Sequence, residues 1–279
     1  MKHTRQYRLD QHENRIRFGV ERDCDWLAFR FHFDKSMTYG QLKLSDPFGM
    51  ERFFYFDVHS PREGVLHVRP EWNSYTAVPG VIRAGEWSFE LMRIPAPLVF
   101  ALEWEYGDGE PPESFHLPAA PRDFWSDGAA TEGKYFLLNR YDWKEAKQEG
   151  TRWYRGDFHT HTTLSDGRMT PEQATQFAEE RGLDFFVVTE HNTLPSSWPK
   201  SRLLVIPGVE ITTYGRGDWN IIGIGQSADF WSTISTRMRP LDDEQYAALD
   251  NGLRKRIKPS GAIRSLNQDR KSTRLNSSH

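Results

Sequence analysis

The stretch Gly156-Asp157-Phe158-His159-Thr160-His161 divides this 279-residue chain into two textures. After it, apolar runs alternate with amphipathic ones, as when strands are interleaved with helices. Residues 157–161 read as the end of a strand. Thr170-Pro171-Glu172-Gln173 has the form of a capping box with proline at the first helical position, and Gly182 stops that helix. Residues 184–189 are apolar and β-branched enough for a buried parallel strand. Two more strands are expected at 203–206 and 220–224, a helix over 242–256 and a further strand over 261–267.

Before that stretch the chain reads as short strands between turn signals. Leu27, Phe29, Phe31 and Phe33 recur at every second position, with Arg30 and His32 between them. That is the period of a half-buried strand. Similar runs occupy 41–44, 53–58, 65–68, 87–94 and 98–106. Asp46-Pro47, Ser60-Pro61, Pro79-Gly80 and Ala84-Gly85 punctuate them. Such spacing predicts an antiparallel β-sandwich over residues 1–110. The stretch 107–133 is rich in Pro, Gly, Asp and Glu, so 111–150 is expected to be a linker and connecting segment. Residues 151–268 then form the second domain.

Composition narrows the classes. Hydrophobic residues are 37% and aromatics 14% of the chain, enough for a packed core. The net charge of -3 gives no general attraction to nucleic acid or to anionic membranes. Cys24 is the single cysteine, which excludes an internal disulfide and a thiolate metal cage. The polar start has no signal-peptide pattern, and no apolar run approaches the roughly 20 residues that span a bilayer. The expectation is a soluble, cytoplasmic protein with a small-molecule substrate and neither a nucleic-acid nor a membrane partner. Its oligomeric state is not legible.

His159 and His161 sit two apart on a strand end, so both side chains leave the same face and can hold one metal ion. Leu164-Ser165-Asp166-Gly167 adds a polar loop with a carboxylate. Glu190-His191 follows an apolar strand, and Glu210 follows the run Val205-Ile206-Pro207-Gly208-Val209. Three successive strand ends therefore offer metal-ligating residues, where open α/β sheets and barrels place their ligands.

These residues resemble the PHP superfamily of metal-dependent phosphoesterases. The first motif looks like Asp157-Phe158-His159-Thr160-His161 with Ser165-Asp166-Gly167, the second like Thr189-Glu190-His191-Asn192, and the third like Pro207-Gly208-Val209-Glu210. The first domain is similar to the leading domain of the CehA/McbA-like branch through Leu44-Ser45-Asp46-Pro47, Ser74-Tyr75-Thr76-Ala77-Val78-Pro79-Gly80 and Ala84-Gly85-Glu86-Trp87. Thr212-Thr213-Tyr214 and Trp219-Asn220 fit that branch too.

The resemblance implies a distorted (β/α)7 barrel, here C-terminally truncated, with two or three divalent ions (Zn, Mn or Fe) at the strand ends. It implies that His159 and His161 hold one metal, that Glu210 bridges two, and that Asp166 with His191 serves a third. Glu190 and Asp218 are the candidate catalytic carboxylates, Glu190 either backing the ligands or facing substrate. Asp218 stands where the branch has a histidine; it is either a ligand, which would favour Mn or Mg over Zn, or a loop residue.

The implied reaction is hydrolysis of a phosphoester by metal-activated water, with a carbamate or related ester as the alternative. Arg155, Arg168 and Arg216 flank the motifs as candidate anion contacts, or as solvated loop residues. A non-catalytic alternative uses Trp72, Tyr75, Trp87 and Trp104 as a binding face.

Residues 269–279 have no periodicity. They resemble, codon for codon, a common sequencing adapter translated in one frame, and are expected to be non-native. Gln268, just before them, stands where the family has a histidine ligand, and histidine is the residue expected there in the native gene.

Overall fold

A computed structural model describes residues 2–268 apart from 11, 36, 38, 39, 93, 95, 120, 132, 133, 214–216 and 232–241. The expectations that concern residues 269–279, Tyr214 and Arg216 lie outside the described residues, and of Gln268 only the backbone is described.

Eight strands make up the first region: β1 (His3–Leu9), β2 (Arg15–Val20), β3 (Trp26–Phe33), β4 (Gln41–Ser45), β5 (Glu51–Phe56), β6 (Glu63–His67), β7 (Gly85–Met92) and β8 (Leu98–Gly107). They form two four-stranded antiparallel sheets, ordered β1-β8-β3-β6 and β2-β7-β4-β5. Leu27, Phe29, Phe31 and Phe33 point between the sheets and are buried, while His32 is exposed. Phe29 meets Phe53 of the opposite sheet edge-on at 5.0 Å, and Phe31 meets Tyr55 at 4.8 Å. Edge-to-face contacts of this kind add to the stabilisation from buried aromatic area.

The connecting segment is packed structure rather than a free tether. It contains β9 (Arg122–Phe124), β10 (Ala130–Thr131) and β11 (Tyr135–Phe136). The Arg30 guanidinium lies 4.1 Å from the Phe115 ring centroid, which holds residues near 115 on the sandwich.

The second region contains β12 (Gly156–Thr160), α1 (Pro171–Glu180), β13 (Phe185–Val188), β14 (Ser197–Pro199), β15 (Leu204–Ile211), β16 (Asp218–Ile222), α2 (Asp243–Ile257) and β17 (Ile263–Gln268). The capping box forms: Gln173 N donates to Thr170 Oγ1 at 3.3 Å, and Thr170 N donates to Gln173 Oε1 at 3.0 Å. Gly182, with φ +67°, follows that helix in the left-handed region that glycine adopts without strain. Strand β14 pairs with β9 and so belongs to the connection.

The remaining strands form one five-stranded sheet, ordered β12-β13-β15-β16-β17. This corrects the expected (β/α)7 barrel. Only β12, β13 and β15 run parallel, whereas β16 pairs antiparallel with both β15 and β17. A parallel return needs a crossover of about a dozen residues or more. The short 212–217 connection between β15 and β16 permits only an antiparallel one. Strands dominate the described residues, α1 and α2 are the only α-helices among them, and their sheets do not close into a barrel. No helix among them is long and apolar enough to cross a membrane.

The two regions share a core. Phe54, Tyr75, Val78 and Met92 of the first cluster with Trp125, Phe186 and Trp198. Trp198 is 1% exposed, stacks on Trp125 at 6.0 Å and donates through Nε1 to Thr175 Oγ1 at 3.0 Å.

Among the described residues, one face of the five-stranded sheet stays open. Phe158, Phe185, Leu204, Ile206, Ile222 and Ile263 line a hollow of about 320 Å³. Phe158 is 56% and Ile263 66% exposed, a sizeable apolar patch for a protein surface. The chain is therefore expected to raise the fluorescence of 8-anilinonaphthalene-1-sulfonate under native conditions. A Phe158→Ser/Ile263→Ser double variant should lower that signal, and an unchanged signal would contradict this account of the face.

Candidate metal centre

Strand β12 ends at Thr160, and the alternation along it turns His159 and His161 to one side. Asp157 Oδ1 accepts from His159 N at 3.0 Å and stiffens the turn-off. The parallel ladder extends beyond β13, where Glu210 N donates to Glu190 O at 3.1 Å and Asn192 N donates to Glu210 O at 2.8 Å. An isolated bridge thus sets His191 beside Glu210. Asn192 holds a positive φ of 48°, uncommon for a residue with a side chain. Its buried amide bonds both backbone groups of Thr212, accepting from N at 3.2 Å and donating to O at 3.3 Å.

The histidines and carboxylates meet in two triads that share His161. His159, His161 and Glu210 form one, and His161, Asp166 and His191 the other, with the ligand atoms of each within 4.8 Å of one another. Glu210 Oε2 lies 3.2 Å from His159 Nε2, 3.0 Å from His161 Nε2 and 3.2 Å from His191 Nδ1. Asp166 Oδ2 lies 3.2 Å from His191 Nε2, and its Oδ1 lies 3.6 Å from His161 Nδ1.

This donor set suits a divalent cation. His159 Nε2 and His161 Nε2 are 2.7 Å apart, so two N–H protons cannot both point into that gap. The arrangement calls for one positive centre among the nitrogens and the buried Glu210 oxygen. Imidazole with carboxylate, and no thiolate, is a donor set for Zn, Mn or Fe.

Electrostatics follow the same geometry. Burial alone would lower the His161 imidazole, but the Glu210 hydrogen bond and the charges of Glu190, Glu210 and Asp166 carry it above the ordinary histidine value. The hydrogen bond from His191, working against partial burial, holds the Asp166 carboxyl below the usual range.

Glu190 and Asp218 lie outside both triads. Glu190 is fully buried and accepts from Thr162 N at 2.9 Å, from Thr162 Oγ1 at 2.5 Å and from Ser165 Oγ. These bonds tie down the loop between His161 and Asp166. Burial pushes its carboxyl up to about 7, against the lowering by those hydrogen bonds. Gly167 completes the loop, since a Cβ there would lie 2.3 Å from His161 O. Asp218 accepts from Thr213 N at 2.9 Å. Burial raises its carboxyl and the Glu210 charge adds to that, which marks it as a near neighbour of the triads.

The remaining candidates scatter. Arg155 precedes β12 at the strand end away from His161, and its backbone N donates to Asp184 Oδ2 at 2.8 Å. Arg168 is exposed on the loop after Gly167. Trp87 and Trp104 are buried in the sandwich core and Tyr75 in the shared core, while Trp72 is partly buried and packs on Arg69 and His67. Together they offer no exposed aromatic face.

Three contributors were not among the candidate site residues, Thr212 standing only as a mark of the branch. Thr212 Oγ1 lies 2.5 Å from His191 Nδ1, and Thr162 anchors Glu190. Both lie beside motif residues, so polar side chains next to predicted ligands were the available signal. Phe56, from the sandwich, stacks on His191 at 5.1 Å and had no local signal.

Over 77 residues the chain is 35% identical to the 5'-3' exoribonuclease Rnm of Escherichia coli (strain K12), covering 24% of this chain and 26% of that protein. Over 78 residues it is 36% identical to the protein of the same name from Salmonella typhimurium (strain LT2), with the same coverage of 24% and 26%. The chain thus spans about a quarter of the length of these curated relatives. No family model and no solved structure matches it. What the comparisons give is a partial similarity to a hydrolase.

Proposed function

We propose that this chain is a divalent-metal-dependent hydrolase of a small phosphoester, with a metal centre of the PHP type that its motifs resemble. The observation that carries the proposal is the convergence of His159, His161 and His191 on Glu210 Oε2, with Asp166 closing a second triad. Partial similarity to an exoribonuclease, a class that hydrolyses phosphodiesters, supports a phosphoester over a carbamate or carboxylic ester.

His159, His161 and Glu210 would hold one ion, and Asp166 with His191 a second, since a neutral His161 imidazole has one lone pair to give and serves one ion at a time. Such ions supply Lewis acidity and lower the pKa of water towards neutrality. The protein's own groups set the geometry. Glu190 orients the Thr162–Ser165 turn and so aims His161 and Asp166. Asp218 pins the turn after β15 and keeps Thr212 against His191. The side chains of His159 and Asp166, 39% and 32% exposed, mark the open side by which a substrate enters.

Chelator-stripped protein reloaded with Mn2+ should release nitrophenolate from bis(p-nitrophenyl) phosphate, and far more slowly from an aryl carbamate. Turnover of the carbamate alone would overturn the phosphoester assignment. Cleavage of a single-stranded oligoribonucleotide, with the small diester untouched, would overturn the small-molecule assignment. No metal-dependent hydrolysis of any of the three would overturn the hydrolase.

A further inference from the structure

We propose that Phe56 is a positioning residue for the candidate metal centre, acting through the plane of the His191 ring; this rests on the metal-dependent function proposed above. Phe56 ends β5 in the sandwich and is 1% exposed. Its ring lies on His191 with centroids 5.1 Å and planes 22° apart. His191 lies in turn on His161 at 4.4 Å and 27°. The three rings form one column, with Phe56 as its buried end plate and two metal-ligand candidates above it. The same turn of the sandwich is tied to the ligand loop by His59 N, which donates to Ser165 O at 3.3 Å.

An imidazole binds a metal along a nitrogen lone pair lying in the ring plane, so the tilt of the ring sets the direction of the donor. The partners of His191 sit near its two nitrogens, Thr212 and Glu210 at Nδ1 and Asp166 at Nε2. Contacts at those two points fix the ring along the line joining them and resist rotation about that line only weakly. A flat face against the ring opposes that rotation. Leucine of comparable bulk would fill the space without supplying the plane.

Phe54 provides the control. It lies two residues earlier on the same face of β5 and is equally buried at 1%. Its ring neighbours among the described residues are Phe136 at 6.2 Å and Trp231 at 6.3 Å, with no imidazole. Phe54→Leu should therefore loosen the domain contact as Phe56→Leu does, without reaching the ligands.

The test is Co2+ titration of the full chain and of both variants, read by calorimetry and by the visible absorption of the bound ion. NMR of the His191 ring C–H in the metal-free proteins accompanies it. Phe56→Leu is expected to weaken Co2+ binding by about tenfold, the scale of a lost outer partner of a metal ligand. It should also change the Co2+ spectrum and move the His191 resonance downfield as the ring current is lost. Phe54→Leu should do none of these. Equal effects of the two variants, or no effect of Phe56→Leu on a wild-type chain that binds Co2+, would overturn the role of Phe56 alone. A wild-type chain that takes up no Co2+ would overturn the proposed function and this role with it.

Discussion

Replacing His161 with alanine is expected to strip more metal from the centre than His159→Ala does. His161 is the one residue common to the two triads, and its Nε2 lies 3.0 Å from Glu210 Oε2. Its loss also leaves the buried Glu210 carboxylate with one imidazole fewer, a costly way to hold a charge. Hydrolysis should fall by roughly a thousandfold, the rate equivalent of about 4 kcal/mol and the scale of Lewis-acid assistance. Metal per chain, measured after equilibrium dialysis, separates the two variants. Equal retention by His161→Ala and His159→Ala would contradict the larger role given to His161.

Glu190→Ala is expected to be nearly as damaging, although Glu190 is not among the metal-ligand candidates. The substitution strips acceptors from Thr162 N, Thr162 Oγ1 and Ser165 Oγ in a fully buried setting. Each donor left unsatisfied costs about 1–3 kcal/mol. Metal affinity should fall by about ten- to a hundredfold, because the loop that carries Asp166 loses its anchor. Glu190→Gln keeps an acceptor in place and should restore most of that loss.

The pH dependence has a fixed sign. With the folded carboxyl raised to about 7, the buried group carries no charge penalty at low pH, where both states are protonated. Between the unfolded carboxyl value and about 7 the folded state holds the extra proton, so stability falls as pH rises and the loss is complete above that range. Glu190→Gln removes this contribution. In metal-free protein its melting temperature relative to wild type should therefore climb from pH 5 to pH 8. A difference that stays flat or falls would contradict a buried carboxyl at this position.

How much of this was legible depends on which physical signal each residue left. His159, His161, Asp166, His191 and Glu210 were found together because strand ends and a period of two are written in the local pattern. Glu190 shows the limit of adjacency. Neighbours on an extended backbone point to opposite sides, so Glu190 turns into the protein where His191 turns towards Glu210. Strand direction was less legible. Apolar runs at 203–206, 220–224 and 261–267 mark strands but not their sense, and the short 212–217 connection made β16 antiparallel to β15. The expected barrel failed on that point. Phe56 left no trace near the motifs, because its contact with His191 depends on how the sandwich docks.

The two triads together make up the proposed divalent-metal centre. Its most direct test is Mn2+ content by elemental analysis after stripping, reloading and exhaustive dialysis, for wild type and His161→Ala side by side. More than one Mn2+ is expected per wild-type chain, and markedly less in the variant. Wild type that retains no Mn2+, or a variant that retains as much, would contradict the proposed centre.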